Sequence, residues 1–268
     1  MESWWDVWKQ LLWQDGRVTS MALAAVAGIT LLELLVPAEP DQGMRGRARN
    51  LVYLLYFKVL GLGAMALWFA FGPPPAYLVF EAPAYTTWLL VLANLFVFDF
   101  LYYWYHRAQH RFQALWAIHE LHHADTELNA TTSYRTYWLE ALVQLILVST
   151  ATHFLFGGLG AWHTDVVIGL TIFFLLFGHA NLRLSLGPLS GVLCGPQVHR
   201  IHHSRIAEHQ DRNFAQIFPL IDRIFGTYHA PRTGEFPPTG AQGLASDAPI
   251  IQALVQPLRI WASAFRAH

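Results

Sequence analysis

Charge is scarce in this chain. Lys, Arg, Asp and Glu together make up 13% of its 268 residues and hydrophobic residues 54%, against roughly 25% charge in an ordinary soluble domain. That balance excludes a freely soluble globular domain and predicts an all-α integral membrane protein. Cysteine occurs once, at Cys194, which excludes an internal disulfide, a zinc ribbon and a thiolate-held iron–sulfur cluster. Metal chemistry, if present, must rest on nitrogen and oxygen donors. The formal net charge of -1 provides no polybasic surface, so nucleic acid is not expected as a partner. The N-terminus lacks the basic start and small-residue cleavage site of a signal peptide.

What is abundant is apolar sequence in long runs. Residues 18–36, 51–71 and 86–105 each approach the twenty or so apolar residues that a helix needs to cross hydrocarbon. Two shorter runs, 139–156 and 166–182, read as a hairpin that need not fully cross. The expectation is therefore four to five transmembrane or re-entrant helices. Residues 1–17 have Trp4, Trp8, Leu11 and Leu12 at helical spacing beside Glu2, Asp6 and Lys9, the pattern of an amphipathic interfacial helix. Residues 18–85 then hold the N-terminal transmembrane helices, and the tail 231–268 ends in a second interfacial helix, "PIIQALVQPLRIWASAFRAH".

Arginine sets the orientation. It clusters after the first, third and fifth runs, whereas the loops "GPPPAYLVFEAPAY" and "GGLGAWHTD" have no Lys or Arg. The positive-inside rule places the N-terminus outside and the C-terminus in the cytoplasm. Glu33 and Lys58, near span ends, are expected to snorkel toward water.

Histidine is the other excess. His106 and His110 are four residues apart; His119 stands three and four before His122 and His123; His199 stands three and four before His202 and His203. Residues at those separations share a helix face, so each group can aim imidazoles at one point. Neighbours such as His122 and His123 diverge by about 100° around a helix, so one can serve one ion and its neighbour another. Eight imidazoles exceed one coordination sphere, and two metal ions are the economical reading: a cytosolic helical cap holding a histidine-rich dimetal site. Solvated surface histidines would not need this spacing, a structural zinc would leave half of them unused, and haem takes one or two. A non-catalytic metal-binding or metal-transport protein is the alternative from another class, but transport calls for ligands along the midplane, where only His153 stands.

The stretches "HRAQH", "HELHH" and "HRIHH" resemble the three histidine boxes of the fatty acid hydroxylase superfamily, which includes the sterol desaturases. "DFLYYWYHR", "GHANL" and "NFAQIFPLIDRIFGTY" extend the likeness from about residue 90 to 230, so residues 86–230 are expected to form a catalytic domain of that type. The resemblance implies a membrane-bound non-haem di-iron oxygenase: two Fe ions, O2 as co-substrate, a lipid-like substrate such as an acyl or alkyl chain, a sterol or another isoprenoid, and a separate electron donor (ferredoxin, cytochrome or reductase). Hydroxylation is the leading expectation and desaturation on the same centre the alternative. By position the ligands would be His106, His110, His119, His122, His123, His199, His202 and His203, with His179 of "GHANL" as a ninth. One departure is that relatives among the sterol desaturases carry "RxHPxE" where this chain reads "RTYWLE"; Arg135 and Glu140 remain, while Tyr137 and Trp138 replace the histidine and proline.

Residues expected to support the ligands are Asp99, two helical turns before His106 and able to accept its ring N–H, then Asn181, Asp211 and Asn213, with Arg135 and Glu140. His153, His163, His209, His229 and His268 are expected to be non-ligands. The absence of a cytochrome segment points to a bacterial inner membrane, with the active site on its cytoplasmic side.

Overall fold

In hydrocarbon a backbone must satisfy its own hydrogen bonds, so apolar runs of this length fold as helices. A computed structural model describes residues 4–70 and 87–266. The chain runs from α1 (Trp4–Leu35) to α2 (Met44–Ala70) and α3 (Thr87–Arg111). Phe112, with an extended backbone, breaks the path before α4 (Gln113–His123). Then come α5 (Trp138–Gln144), a π turn (Leu145–Ser149) and α6 (Thr150–Phe156), which together make one continuous length. Gly160, at φ 87°, turns the chain into α7 (Ala161–His179). Three cap helices follow: α8 (Pro196–His202), α9 (Leu220–Ile224) and α10 (Ile250–Arg266).

Among the described residues, four stretches are long and apolar enough to cross a membrane: Asp15–Leu35, Thr87–Arg111, Trp138–Leu159 and Ala161–His179. The last two, expected as a short hairpin, have 22 and 19 residues, about 33 and 28 Å of helix, so each arm matches the hydrocarbon thickness. The run 51–70 lies within α2. Residues 4–35 form one unbroken helix; residues 1–3, 71–86 and 267–268, and the side chains of residues 4–14, lie outside the described residues.

Packing separates two kinds of apolar surface. Val26 and Ile29 of α1 bury against Leu176, Ala180 and Leu182, while Val91 and Leu95 of α3 pack on Val166, Leu170 and Phe174 of α7. Phe98 and Tyr105 close on Val143 and Val148. Leu31, Leu34, Leu55, Val59 and Leu89 instead point outward and are exposed, the expected face toward lipid. Away from the histidines, Arg17 pairs with Asp165 at 2.9 and 2.5 Å and Trp88 meets Trp162 edge-on at 5.4 Å.

At the other end sits the cap. Tyr53 of α2, Leu121 of α4, Ala124 just after it, and Leu244, Ala248 and Ala253 of the tail share one core. The indole N–H of Trp261 donates to the Ala114 carbonyl at 2.9 Å, while Ile251 and Leu258 stay exposed. The tail helix thus docks one face on α4 and leaves apolar residues exposed on another.

Two expectations are corrected here. Glu33 does not snorkel: it is buried, ion-paired with Arg47, and its Oε1 accepts the backbone N–H groups of Ala130 and Asn181 at 2.8 Å each. Three donors converge on it because the chain after α1 folds back beneath the span, where Pro37 bridges Leu182. Lys58 likewise turns inward, to Asp15 at 2.5 Å. Replacing Glu33 by Ala leaves a buried guanidinium unpaired, so the expected cost is about 3–5 kcal/mol, read as a marked fall in the thermal unfolding midpoint in detergent. A snorkelling carboxylate would give almost no change.

Candidate metal centre

Four helix ends meet at one place beneath the spans. His106 and His110 occupy the last turns of α3, His119, His122 and His123 the last turns of α4, and His179 ends α7; His199 and His202 lie on α8 and His203 caps it. They sort into two groups, His106, His110, His119, His123 and His202 in one and His122, His179, His199 and His203 in the other, with the donor atoms of each group all within 4.8 Å of one another. The sequence neighbours His122/His123 and His202/His203 divide between the groups, as the helical rotation between adjacent residues requires. All nine histidines singled out from the sequence are brought together. α7 approaches α8 closely at Gly178, where a Cβ would stand 3.4 Å from His199.

The ring nitrogens crowd, and several are left without a partner by neutral imidazoles alone. Nε2 atoms lie 3.1 Å apart between His106 and His119, 3.2 Å between His110 and His123, 2.9 Å between His122 and His179, and 3.0 Å between His179 and His199. His202 Nε2 and both ring nitrogens of His203 are buried with no hydrogen-bond partner, a costly state for polar atoms. Spacings near 3 Å are about those between nitrogens sharing a metal at roughly 2.1 Å.

Outer contacts fix which nitrogen faces inward. The Nδ1–H of His106 donates to the Phe214 carbonyl at 2.8 Å, that of His179 to the Leu175 carbonyl at 2.7 Å and that of His202 to the Arg212 carbonyl at 2.8 Å. A carbonyl only accepts, so Nδ1 carries the hydrogen and Nε2 keeps its lone pair for a metal. His119 makes the equivalent bond to Glu140 Oε1 at 2.6 Å, the carboxylate–imidazole arrangement found behind many metal ligands. Burial, reinforced by the neighbouring imidazoles, holds His119, His122, His123, His199, His202 and His203 well below the ordinary 6.5. These rings are neutral near pH 7, as nitrogen ligands must be. The donor set therefore fits two first-row divalent ions, iron among them.

The supporting residues fall differently from their expected places. Glu140 does meet one of the clustered imidazoles, that of His119. Asp99 does not touch His106; it accepts the backbone N–H groups of Gln216, Ile217 and Phe218 at 2.8, 3.0 and 2.6 Å, and the Phe214 carbonyl takes the ring proton instead. Asp211, with an exposed side chain, lies 3.4 Å from His110 Nδ1. Asp211 and Asn213 have left-handed backbones, φ 57° and 56°, tolerable for Asp and Asn, and between them they aim the Arg212 carbonyl at His202. Asn213 donates to the Val198 and His229 carbonyls. Asn181 staples the chain after His179 to Glu39, and Arg135 holds the Leu121 carbonyl at 3.0 Å and covers the Tyr53 ring. His163 bonds Asn94 at 3.1 Å.

Two contributors escape the sequence reading. Gln109 donates to Glu140 Oε1 at 2.9 Å, and Asp222 accepts the N–H groups of Phe214 and Ala215 at 2.8 and 2.9 Å. Gln109 lies inside the first box and Asp222 inside "NFAQIFPLIDRIFGTY", so position was the available signal.

A family model described as "Fatty acid hydroxylase" matches residues 90–227, just over half the chain. The chain belongs to the fatty acid hydroxylase family. Its match includes all nine clustered histidines. Curated relatives include alkylglycerol monooxygenase of Homo sapiens, 32% identical over 58% of this chain and 34% of that protein. Ornithine lipid hydroxylase OlsE of Rhizobium tropici is 29% identical over 53% of this chain and 42% of its own. The very-long-chain aldehyde decarbonylase GL1-7 of rice is 28% identical over 52% and 23%. The chain thus spans well under half the length of these relatives. No solved structure gives a significant match.

Removing the outer partner of a ligand typically weakens metal binding about 10–100-fold. Glu140→Ala is expected to show that loss in metal titration, whereas Asp211→Ala, whose carboxylate is in water, is expected to change affinity less than about 3-fold. In the metal-free protein the depressed histidines give a signed pH dependence. The unfolded chain takes up protons first below 6.5, so thermal stability is expected to fall as pH drops from 7 toward 5. A flat or rising profile would contradict neutral burial.

Proposed function

We propose that this chain is a membrane-bound non-haem di-iron oxygenase that hydroxylates a C–H bond of a lipid-like substrate, using O2 and electrons from a separate donor. The observation that carries the reading is the pair of buried, neutral, all-imidazole groups set against the ends of membrane helices. Iron bound there would supply dioxygen reduction to an oxidant able to attack an unactivated C–H bond, chemistry that needs exclusion of water. His106, His110, His119, His123 and His202 would hold one ion and His122, His179, His199 and His203 the other.

The chain's own residues supply position and dryness. A cavity of about 410 Å³ lies among the spans, lined by Val18, Phe98, Gln144, Thr152, Ile168 and Ile172 among others. Phe98 stacks on Tyr102 at 6.1 Å, and Tyr102 leans on His106 at 5.2 Å, so one aromatic step separates the cavity wall from the first imidazole group. The π turn at Leu145–Ser149 contributes Ser149 to the same wall; such turns recur at functional sites. A flexible apolar chain entering from the bilayer fits this lining, whereas charged metabolites do not. Alkylglycerol monooxygenase and ornithine lipid hydroxylase, by their names, act on lipids, which supports the same substrate class.

Electrons would come from a separate donor: the cysteine of this sequence, Cys194, is buried, and a lone thiolate cannot hold an iron–sulfur cluster. We place the histidines on the cytoplasmic side of the membrane on the strength of the arginines that follow α1, α3 and α7.

The test uses iron-loaded protein in lipid nanodiscs with a ferredoxin–reductase pair, 18-O dioxygen and a lipid extract from the host. One labelled oxygen atom in a product lipid is expected, lost in His123→Ala and His203→Ala. Ile168→Trp, which fills the intramembrane cavity, is expected to lower turnover at least 10-fold with iron content unchanged. Oxygen consumption that never labels lipid would refute the hydroxylase reading, and an unlabelled olefin would replace it with desaturation.

A further inference from the structure

A third group of donors lies outside the two imidazole groups. His209, His229 and Glu235 present ligand atoms all within 4.8 Å of one another. We infer that these three residues form a separate metal site in the cap, suited to a zinc-type divalent ion with three protein donors and room for water.

The geometry fits a divalent ion. His209 Nε2 stands 3.4 Å from Glu235 Oε1, about the edge of a tetrahedron with bonds near 2.1 Å. The His209 and His229 rings meet edge-on with centroids 4.7 Å apart, much as His122 and His179 do at 4.8 Å. His209 is buried; His229 and Glu235 are half-buried, so the site borders solvent and a fourth ligand can come from water.

Two of the three donor groups are held from behind and the backbone of the third is clamped, which favours a built site over a chance meeting. His209 Nδ1 pairs with the Ser204 hydroxyl at 2.9 Å, which turns Nε2 toward Glu235. The His229 backbone is clamped on both sides by Asn213, whose Oδ1 accepts its N–H at 2.8 Å and whose Nδ2 donates to its carbonyl at 3.1 Å. Glu235 Oε2 accepts the Arg232 N–H at 2.8 Å, and its carbonyl accepts from Gln197 at 3.0 Å.

Its position gives the site a use. Ser204 follows His203 directly and bridges Thr239, and the Gly240 N–H donates to the His203 carbonyl at 3.2 Å. An ion joining residues 209, 229 and 235 would therefore brace the segment that lies behind His202 and His203.

The experiment uses the iron-loaded full chain in detergent, titrated with zinc, with both metals counted by mass spectrometry. The wild type is expected to take up one zinc per chain with no release of iron. His209→Ala, His229→Ala and Glu235→Gln are each expected to bind zinc at least 100-fold more weakly while keeping the wild-type iron content, which also shows that they fold. Zinc uptake matched by iron release, no uptake at all, or variants that bind as tightly as the wild type would overturn the site and leave a simple His209–Glu235 ion pair. A failure of the di-iron reading would show separately, as missing iron in the wild type.

Discussion

Crowded imidazoles in a dry pocket are the constraint from which the rest of this protein follows. The Nε2 lone pairs of His106 and His119, 3.1 Å apart with both ring hydrogens pointing outward, repel unless a cation or a second proton lies between them, and burial opposes that second proton. The pocket must be held shut by other means, and here those means are backbone carbonyls from distant segments. Asp99 and Asp222 gather the N–H groups of residues 214–218. That fixes the Phe214 carbonyl, which orients His106. Two carboxylates thus set the His106 ring without touching it.

This indirect support explains where sequence reasoning works and where it stops. Spacing of three and four on a helix is local, so the histidine groups and the split of His122 from His123 could be read directly. Asp99 also lies on the helix of His106, and the seven-residue interval made a direct bond the natural reading. What local spacing omits is competition: three backbone N–H groups more than a hundred residues away occupy both carboxylate oxygens. Glu33 shows the same effect, since a carboxylate at a span end looks solvated until the turn after α7 brings Asn181 to it. Glu140 was legible because the motif around it survives although Tyr137 and Trp138 replace two of its members. His209 and His229 were set aside for lying outside the boxes, yet the fold gathers them with Glu235, and neither separation is helical.

The arrangement of spans has a chemical corollary. α3 and α7 end in histidines and α5 begins close to Glu140, so the membrane helices and the imidazole groups share one rigid frame. Ion pairs between Arg17 and Asp165 and between Lys58 and Asp15 tie neighbouring helices away from that end. A site built on helix ends holds its geometry better than one built on loops, and the long loop segments of the cap serve here mainly to present carbonyls.

The two imidazole groups also differ in access. Every ring of the four-membered group is buried, whereas His110 of the five-membered group is partly open and borders a cavity of about 450 Å³ with Arg107, Arg111 and Asp211 in its lining. On its other side, that same group reaches the intramembrane cavity through Tyr102 and Phe98. Under the proposed function the apolar route suits a lipid chain and the arginine-lined route suits water, protons and a charged electron donor. The five-histidine group stands between the two routes, and the four-histidine group lies behind it with neither. A difference in solvation of that kind would make the two metal positions chemically unequal although both are built from imidazole alone.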